Sequence, residues 1–394
     1  MVVKLNKSLF YNRMNKRRKL KLCFIGDISS VHCKRWANYF VDKGHEVHFV
    51  DDHHYSYKNL KLHYLKNYTR IKAIDYFIRL IVATHVIRKI KPDLVHSQQI
   101  TYHGFLGALS NIQPFIITPW GSDILSVYEG SLVYKYITKY VLHRADFIHI
   151  IDRDGIKRVI YIYKNTKKKA FILNEGVDTK IYKKWEKTKA KNKVRILSIR
   201  APLESYNTIL FVEALNIVVN EYEYKNIEGI MCNRGDHITR YPYYEEKIMK
   251  LVDRYGLREY MRFFRYVRKI NYSQKFMKNA DIYVDTMSRN IVGQGTGKTA
   301  LEAMSSELSV VLPDNPDIKP YIKNMNNGII YKKNNARSLA NAIAILIKDD
   351  KLRKKLGKNA RRLILENLDW NKNMKLMEQK YYEIVRSEST RLNS

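Results

Sequence analysis

A glycine-rich segment followed by a helical pattern is the part of the chain best suited to bind an anion. It runs from Gly293 to Met304 and reads Gly-Gln-Gly-Thr-Gly-Lys-Thr-Ala-Leu-Glu-Ala-Met. Its glycines let backbone amides approach a ligand closely, and a helix beginning near Lys298 adds the partial positive charge of its N-terminus. Glu302 follows about one turn later, where its carboxylate could accept hydrogen bonds from two ribose hydroxyls. The segment therefore predicts a nucleoside diphosphate site; the alternative is a glycine-rich turn with a solvated Glu302.

The string Gly-Thr-Gly-Lys-Thr within this segment is also typical of the P-loop of nucleoside triphosphatases. That motif requires a further glycine at the position that Val292 occupies. The loop also comes late in the chain, after a complete series of strands and helices. The spacing therefore argues against an ATPase or a kinase.

Alternating strands and helices are predicted throughout the chain. An apolar run at 20–25 ends just before Asp27, and apolar residues at helical spacing follow from Cys33 to Val41, with Gly44 in the position of a C-terminal cap. The predicted strands are 20–25, 47–50, 94–96, 115–118, 147–151 and 171–173 in the first half, and 194–199, 229–232, 261–264, 281–284, 309–312 and 328–331 in the second. Strands separated by crossover helices predict parallel sheets that are covered on both faces.

The length of the chain and a lysine-rich interruption predict two domains. A chain of 394 residues with 45% hydrophobic residues exceeds what one core usually serves. The predicted parts are a basic extension at 1–19, a Rossmann-like domain at 20–180, a lysine-rich linker at 181–193, a second Rossmann-like domain at 194–368, and a C-terminal helix and tail at 369–394 that pack back on the first domain. Two such domains are expected to place the carboxyl ends of their strands around one cleft.

The composition favours a cytoplasmic protein with an anionic partner. Three cysteines, Cys23, Cys33 and Cys232, are too far apart for a close-spaced metal motif. No apolar stretch approaches the roughly 18 to 20 residues that span a bilayer, and the first 22 residues are basic without an apolar signal core. The formal net charge is +34, and residues 1–190 hold 35 Lys and Arg but only 15 Asp and Glu. Such a charge fits acidic lipid; nucleic acid is disfavoured because no recognised motif appears, and a solvated lysine-rich surface is the alternative.

Several segments together resemble family 4 glycosyltransferases, a large retaining group with the GT-B fold. The family carries a Glu-Gly-Phe-Gly loop followed by Leu-Glu-Ala-Met; Gln294–Gly297 and Leu301–Met304 match it, with Gln294 in place of the first Glu. Further matches occur in the same order as in the family at Gly44–Val47, Thr118–Asp123, Asn174–Asp178, and Asn279–Asp281 with Ser288. The resemblance covers roughly residues 20 to 385. It implies an α/β protein of the GT-B class, with two Rossmann-like parallel-sheet domains facing each other across a cleft.

The resemblance implies a donor site in the second domain. Arg200 matches the arginine that family members place against the donor diphosphate, whereas Tyr206 stands where the family has a lysine. Lys298 opposes the dipole of the predicted helix, so it is badly placed for helix stability alone; we expect it to supply the charge that Tyr206 lacks. The expected donor-binding residues are Arg200, Tyr206, Gly295, Thr296, Gly297, Lys298 and Glu302. Gln294 is expected to contact a sugar hydroxyl.

The resemblance places the acceptor side in the first domain. Asp27 and His32 follow the first strand, where acceptors and donor phosphates approach in this fold. Trp120 stands in place of the family's histidine, as a stacking wall for a sugar ring or as a buried aromatic residue. Asp123 is either a substrate-facing carboxylate or a cap for nearby amides. With Gln294 and Arg200, Asp123 is expected to be catalytic, in a front-face transfer where the departing phosphate helps to take the acceptor proton.

No metal ion and no cofactor are expected, since the nucleotide-sugar is a substrate. Asp152-Arg-Asp154 is similar to the metal-binding Asp-x-Asp of the other major glycosyltransferase fold, but it directly precedes a helical segment, where Asp is an ordinary cap. His53 and His54 lack partners at ligand spacing, and we expect them to line a loop near the acceptor or to face water.

The sequence as a whole predicts a retaining glycosyltransferase that moves a sugar from a nucleotide-diphosphate donor to a glycan or lipid-linked acceptor in cell-envelope glycan assembly. The anionic inner surface of the cell membrane is a possible partner, whereas nucleic acid is not expected. Two alternatives stay open: a non-catalytic binding protein of the same fold, which the departures at Trp120, Gln294 and Tyr206 favour, and a nucleotide-sugar epimerase.

Overall fold

A computed structural model describes residues 18–124, 126–185, 193–200, 204–232, 242–264, 270–287, 297–315 and 320–392. Two units divide the chain. The N-terminal unit ends at Asn174 and resumes at Met374, and the C-terminal unit is Glu175–Asn373. The linker predicted at 181–193 lies partly outside the described residues and stays a prediction.

The N-terminal unit is built on a seven-stranded sheet with the order β3-β2-β1-β4-β5-β6-β7, and all of its strand pairs are parallel. The strands are β1 (Lys21–Gly26), β2 (Glu46–Asp51), β3 (Leu60–Tyr64), β4 (Leu94–Gln98), β5 (Phe115–Thr118), β6 (Phe147–Ile150) and β7 (Ala170–Ile172). The helices are α1 (Val31–Asp42), α2 (Lys72–Ile90), α3 (Tyr102–Ser110), α4 (Ser126–Gly130), α5 (Leu132–Arg144) and α6 (Arg153–Ile162). Central strands such as β4 are buried along their whole length, as apolar runs between crossover helices predict.

The C-terminal unit repeats this architecture with six strands, in the order β10-β9-β8-β11-β12-β13. The strands are β8 (Val194–Ile199), β9 (Ile227–Cys232), β10 (Met261–Phe264), β11 (Ile282–Val284), β12 (Ser309–Pro313) and β13 (Ile329–Tyr331). The helices are α7 (Ile209–Asn216), α8 (Pro242–Arg254), α9 (Ile270–Asn279), α10 (Lys298–Ser305), α11 (Ala336–Lys348) and α12 (Asp350–Asn367). The prediction of two Rossmann-like parallel-sheet domains is confirmed.

Edge strand β3 is the strand that the sequence pattern did not predict. None of its five residues is fully buried. Their sequence, Leu-Lys-Leu-His-Tyr, alternates between apolar and polar residues but lacks the continuous apolar run of a central strand. It pairs with β2 through backbone hydrogen bonds, which any sequence can make.

Each sheet has a point where the direction of the strand order reverses. In the N-terminal unit the reversal lies at β1 and β4, and in the C-terminal unit it lies at β8 and β11. Open α/β sheets bind ligands outside the carboxyl ends of the strands at such a point. The residues that directly follow these four strands are therefore where the functional groups should be sought.

The C-terminal helix α13 (Trp370–Leu392) completes the core of the N-terminal unit. Trp36 of α1 donates a hydrogen bond from Nε1 to the Tyr381 hydroxyl at 3.1 Å, and the Tyr381 ring stacks on Phe40. His45 contacts Glu378 through Nε2 and Oε1 at 3.0 Å, with both side chains buried. Within the described residues, none of the helices combines the length and apolar character needed to cross a membrane.

Candidate functional site

Arg200 lies at the strand reversal of the C-terminal unit and is held there by Asp285. Arg200 directly follows β8 and Asp285 directly follows β11. The guanidinium donates from Nε to Asp285 Oδ1 at 3.1 Å and from Nη2 to Oδ2, a bidentate pair that fixes the plane of the guanidinium. Burial lowers the pKa of Arg200, but the Asp285 carboxylate more than offsets this and raises it above the ordinary value. The result is a permanently charged, oriented cation at the ligand-binding edge of the sheet.

The loop that precedes α10 passes directly against this cation. A Cβ added to Gly297 would overlap the Nη2 atom of Arg200. Gly297 is also the residue that precedes the first turn of α10, so the arginine lies at the N-terminus of a helix. Two groups that attract anions, a guanidinium and a helix N-terminus, are therefore adjacent.

Tyr206, which takes the place of the family's second cation, stacks with the first. Its ring centroid lies 5.2 Å from the guanidinium carbon of Arg200, and its backbone carbonyl accepts a hydrogen bond from Thr286 Oγ1 at 2.8 Å. Tyr206 therefore brings no charge to the site. It positions Arg200 through a cation–π contact and ties its loop to the residue that follows Asp285.

Lys298 and Glu302 lie on the first turns of α10 with different surroundings. Lys298 Nζ is 3.6 Å from Glu175 Oε2, and its side chain is partly exposed. Glu302 is buried, with 2% of its surface exposed. The positive charge of Lys298 is thus next to the N-terminus of the helix, and the alternative of a solvated Glu302 is wrong. The remaining residues predicted for the loop, Gln294, Gly295 and Thr296, lie outside the described residues, as does Ser288.

In the N-terminal unit Asp123 is a fully buried backbone acceptor. Its Oδ1 accepts hydrogen bonds from the amides of Trp120, Gly121 and Ile124, and its Oδ2 accepts one from Ile100. Burial raises the pKa of Asp123, although these amides lower it. Oδ1 is engaged by the loop that follows β5 and Oδ2 by Ile100, just after β4. These contacts match the capping alternative rather than the substrate-facing one.

Trp120 and His32 form one aromatic pair beside this loop. Their ring centroids are 4.9 Å apart, and Trp120 is only partly buried. His32 lies on the first turn of α1, which Ser30 caps by accepting from the His32 amide at 3.3 Å. The structure thus brings two of the three predicted acceptor-side residues together and gives a partly exposed aromatic surface.

Asp27, the third of these residues, lies in a group that the sequence did not reveal. His53 Nδ1 is 3.6 Å from Asp27 Oδ1, 3.4 Å from Asp51 Oδ2 and 3.1 Å from Asp52 Oδ1. The expectation that His53 lacks partners is therefore wrong. β1 and β2 are adjacent and parallel, so residues far apart in sequence meet where both strands end. His54 instead stacks on Tyr64.

Among the described residues, Asp27, Asp51 and His53 form the group whose ligand atoms are close enough to hold a metal ion, all within 4.8 Å of one another. Two of the carboxylate atoms already accept hydrogen bonds, Asp51 Oδ2 from the Ile28 amide and Asp27 Oδ1 from Ser29. The group can equally bind hydroxyls. Asp152, in contrast, caps α6 by accepting from the Gly155 amide at 2.6 Å, and Asp154 pairs with Lys157. The Asp-x-Asp string is thus a helix cap.

Comparison with known proteins relates both units to the same kind of enzyme. Residues 21–151 match the family model for glycosyl transferase 4-like proteins, and residues 180–363 match the model for glycosyl transferases group 1. The chain is 24% identical over 341 residues to the uncharacterized glycosyltransferase MJ1178 of Methanocaldococcus jannaschii. That alignment covers 83% of this chain and 86% of the relative.

Solved structures show the same fold. A glycosyltransferase from Rickettsia africae superposes with a TM-score of 0.74 at 16% identity, covering 94% of this chain and 99% of that one. HepE of Anabaena, solved in complex with UDP, superposes with a TM-score of 0.75 at 14% identity, covering 92% of this chain and all of that one. The two family models together span most of the chain. The chain therefore belongs to the family 4, group 1 glycosyltransferases and has the GT-B fold.

Proposed function

We propose that this glycosyltransferase moves a sugar from a nucleotide-diphosphate donor to a glycan or lipid-linked acceptor, with retention of configuration and without a metal ion. The observation that carries the proposal is the contact of the buried Arg200 with Gly297 at the start of α10. An oriented cation and a helix N-terminus form an anion site at the strand reversal. HepE of Anabaena, which shares the fold, has also been solved with UDP-glucose, and we take a UDP-sugar as the first donor to test.

The transfer forms a bond between the acceptor oxygen and the anomeric carbon and breaks the bond between that carbon and the diphosphate oxygen. The acceptor proton passes to the departing diphosphate. Negative charge grows on the leaving group, and stabilising it is the main catalytic work available to Arg200, Lys298 and the amides of Gly295 to Gly297. Glu302 binds the ribose and Gln294 a sugar hydroxyl in this proposal, while Trp120 and His32 stack against the acceptor.

Donor binding is tested by titrating UDP into the purified chain and its variants. Arg200→Lys loses the bidentate pair and weakens UDP binding about tenfold or more. Arg195→Lys is the matched control, because Arg195 lies at the opposite end of β8 and pairs there with Glu228 at 2.9 Å. Equal affinities for the two variants would contradict the donor site.

Turnover is tested separately, by release of UDP from UDP-sugars in the presence of candidate acceptors. The capping role of Asp123 and the aromatic residue at Trp120 favour one alternative, a binding protein of the same fold that has lost catalysis. That alternative predicts UDP binding with no release under any acceptor. A nucleotide-sugar epimerase would instead convert the UDP-sugar to its epimer, with no transfer product and no net release of UDP.

The same proposal locates the chain in the cytoplasm, at the inner face of the cell membrane, in the assembly of cell-envelope glycans. The net charge of +34 supports a role at an anionic surface. A lipid-linked acceptor would be reached there without leaving the bilayer.

A further inference from the structure

Helix α2 turns a row of apolar side chains to the outside. Ile71, Ile74, Phe77 and Ile81 recur at helical spacing and are 49% to 71% exposed. The opposite side of the same helix is buried at Leu80, Ala83 and Ile87. The helix is therefore apolar on two sides, and only one of them is covered by its own unit.

Helix α5 has the same property. Leu132, Val133, Tyr136 and Tyr140 are 39% to 75% exposed, whereas Val141 and Leu142 are buried. Helix α3 packs between α2 and α5. The ring centroids of Tyr76 and Tyr102 are 5.4 Å apart, and those of Phe105 and Tyr140 are 5.9 Å apart. The eight exposed residues therefore belong to one layer of helices, which we call the α2–α5 face.

The C-terminal unit has no comparable surface among its described residues. Its exposed large apolar residues lie on four different elements (Tyr243, Phe264, Ile345 and Leu365) and in the loop before β13 (Met325). Scattered apolar residues are normal on a protein surface, whereas a contiguous patch marks an interaction site.

The charge around the α2–α5 face decides what covers it. Residues 65–82 contain four Lys and Arg and one Asp, and that aspartate, Asp75, is buried against Arg79. Residues 131–144 contain three Lys and Arg and no acidic residue. An apolar surface rimmed by cations and tyrosines suits the boundary between acidic headgroups and acyl chains. A second copy of a chain with a net charge of +34 would be repelled.

The face also adjoins the acceptor side. Arg79 lies between Phe77 and Ile81 on α2, and its Nη1 donates to Asp52 Oδ2 at 2.7 Å. Asp52 directly follows β2 and contacts His53. The exposed first half of α2 is therefore beside the carboxyl end of the sheet that carries Asp27 and His53.

We propose that the α2–α5 face inserts into the surface of an anionic bilayer, with Ile74, Phe77, Ile81, Leu132, Val133 and Tyr136 in the acyl boundary and Lys66, Arg70, Lys72 and Lys139 at the headgroups. This deepens the proposed membrane location, and it directs the acceptor-side loops toward lipid. It does not depend on sugar transfer, since docking needs neither donor nor acceptor.

The first experiment is sedimentation with vesicles of phosphatidylcholine alone or mixed with phosphatidylglycerol. The unmodified chain binds the mixed vesicles and not the neutral ones. The triple variant Ile74→Gln, Phe77→Gln, Ile81→Gln loses at least about tenfold in affinity. The control Tyr243→Gln, Ile345→Gln, Leu365→Gln removes the same number of exposed large apolar residues from the C-terminal unit and leaves binding unchanged. Equal loss in both variants, or binding to neutral vesicles alone, overturns the proposal.

The second experiment separates docking from general charge attraction. Lys66→Gln, Arg70→Gln, Lys72→Gln weakens vesicle binding, whereas Lys354→Gln, Lys355→Gln, Lys358→Gln on exposed positions of α12 removes the same charge with little effect. Equal losses of vesicle affinity would show that binding depends on net charge and not on the α2–α5 face, and would overturn the proposal. UDP binding of all four variants is measured alongside, so that a failed donor site is distinguished from a failed docking surface.

The third measurement is the oligomeric state in solution, by analytical ultracentrifugation. We expect a monomer. A dimer that the Ile74, Phe77 and Ile81 triple variant dissociates would show that the face binds a second copy, and would overturn the assignment to lipid.

Discussion

The two units share a sheet architecture but place opposite groups where the strands end. In the C-terminal unit the cation Arg200 lies there, buried with Asp285 against a glycine loop. In the N-terminal unit the carboxylates Asp27 and Asp51 lie there with His53. The same topology thus offers one edge to anions and the other to hydroxyls or cations. The comparison teaches that the charge offered at the ligand-binding edge of each sheet is set by single residues after the strands, and not by the fold.

Asp285→Ala gives the largest effect expected in this comparison. It leaves the buried guanidinium of Arg200 without its carboxylate, so we expect the free energy of unfolding of the C-terminal unit to fall by about 3–5 kcal/mol. Asp350→Ala breaks an Arg–Asp pair on the surface of α12 and should cost less than about 1 kcal/mol. Urea unfolding measures both. Similar losses would mean that the Arg200 pair is no more important than a surface pair.

Tyr381→Phe tests how much the hydrogen bonds between buried polar groups stabilise the N-terminal unit. The Tyr381 hydroxyl contacts His96 and accepts from Trp36, and His96 continues through Thr118 to His149. Burial lowers the pKa of His96 well below its ordinary value, which favours the neutral form of this histidine.

Removing the Tyr381 hydroxyl leaves buried groups unsatisfied, and we expect a loss of about 1–3 kcal/mol in thermal or urea unfolding. Tyr382→Phe is the control, because the Tyr382 hydroxyl is bonded to the carbonyl of Arg18 at an exposed position. A loss that is equal in the two variants would show that the network adds nothing.

Acid unfolding tests the contact between Glu378 of α13 and His45. Burial raises the pKa of Glu378, but His45 and nearby lysines lower it below the ordinary value of 4.5. Glu378 therefore makes its full contribution to the free energy of unfolding above about pH 4.5. This contribution is lost as the pH falls through the lower pKa of the folded state. Glu378→Gln should lose about 1 kcal/mol near neutral pH and change less than the unmodified chain on acidification. Glu383→Gln, at an exposed position on the same helix, should keep the unmodified pH profile.

Chelation is the smallest expected effect. If the Asp27, Asp51 and His53 group recognises hydroxyls rather than a metal ion, EDTA leaves UDP binding and UDP release unchanged. Restoration of activity by one divalent cation after chelation would break the contrast between the two units, because both would then bind their substrate through positive charge.

Most of the fold was predictable because buried parallel strands consist of consecutive apolar residues. β5, β8 and β10 begin and end where the sequence places them. Edge strand β3 was missed because it lacks such an apolar run; the alternation of its five residues, Leu-Lys-Leu-His-Tyr, is the signal that could have found it. The glycine loop identified the position of α10, because Gly297 marks the close approach of another group.

The partners of the predicted site residues were harder to foresee. No sequence motif marks Asp285 or His53. Their partners follow a neighbouring parallel strand, so the contacts form only when the two strands end side by side. Position directly after a predicted strand at a strand reversal is the one signal that could have found Asp285. For Asp123 the sequence left two roles open, and only the four backbone amides around it distinguish them.

The discontinuous N-terminal unit has a practical consequence for anyone who exchanges parts between such enzymes. A fragment that stops at Asn174 lacks α13, so Trp36 and His45 lose the partners Tyr381 and Glu378. The segment that enters the C-terminal unit is also constrained, because a Cβ on Gly176 would overlap the carbonyl of Leu368. A working chimera must therefore treat Glu175–Asn373 as a cassette with two junctions, and must carry a glycine at the first of them.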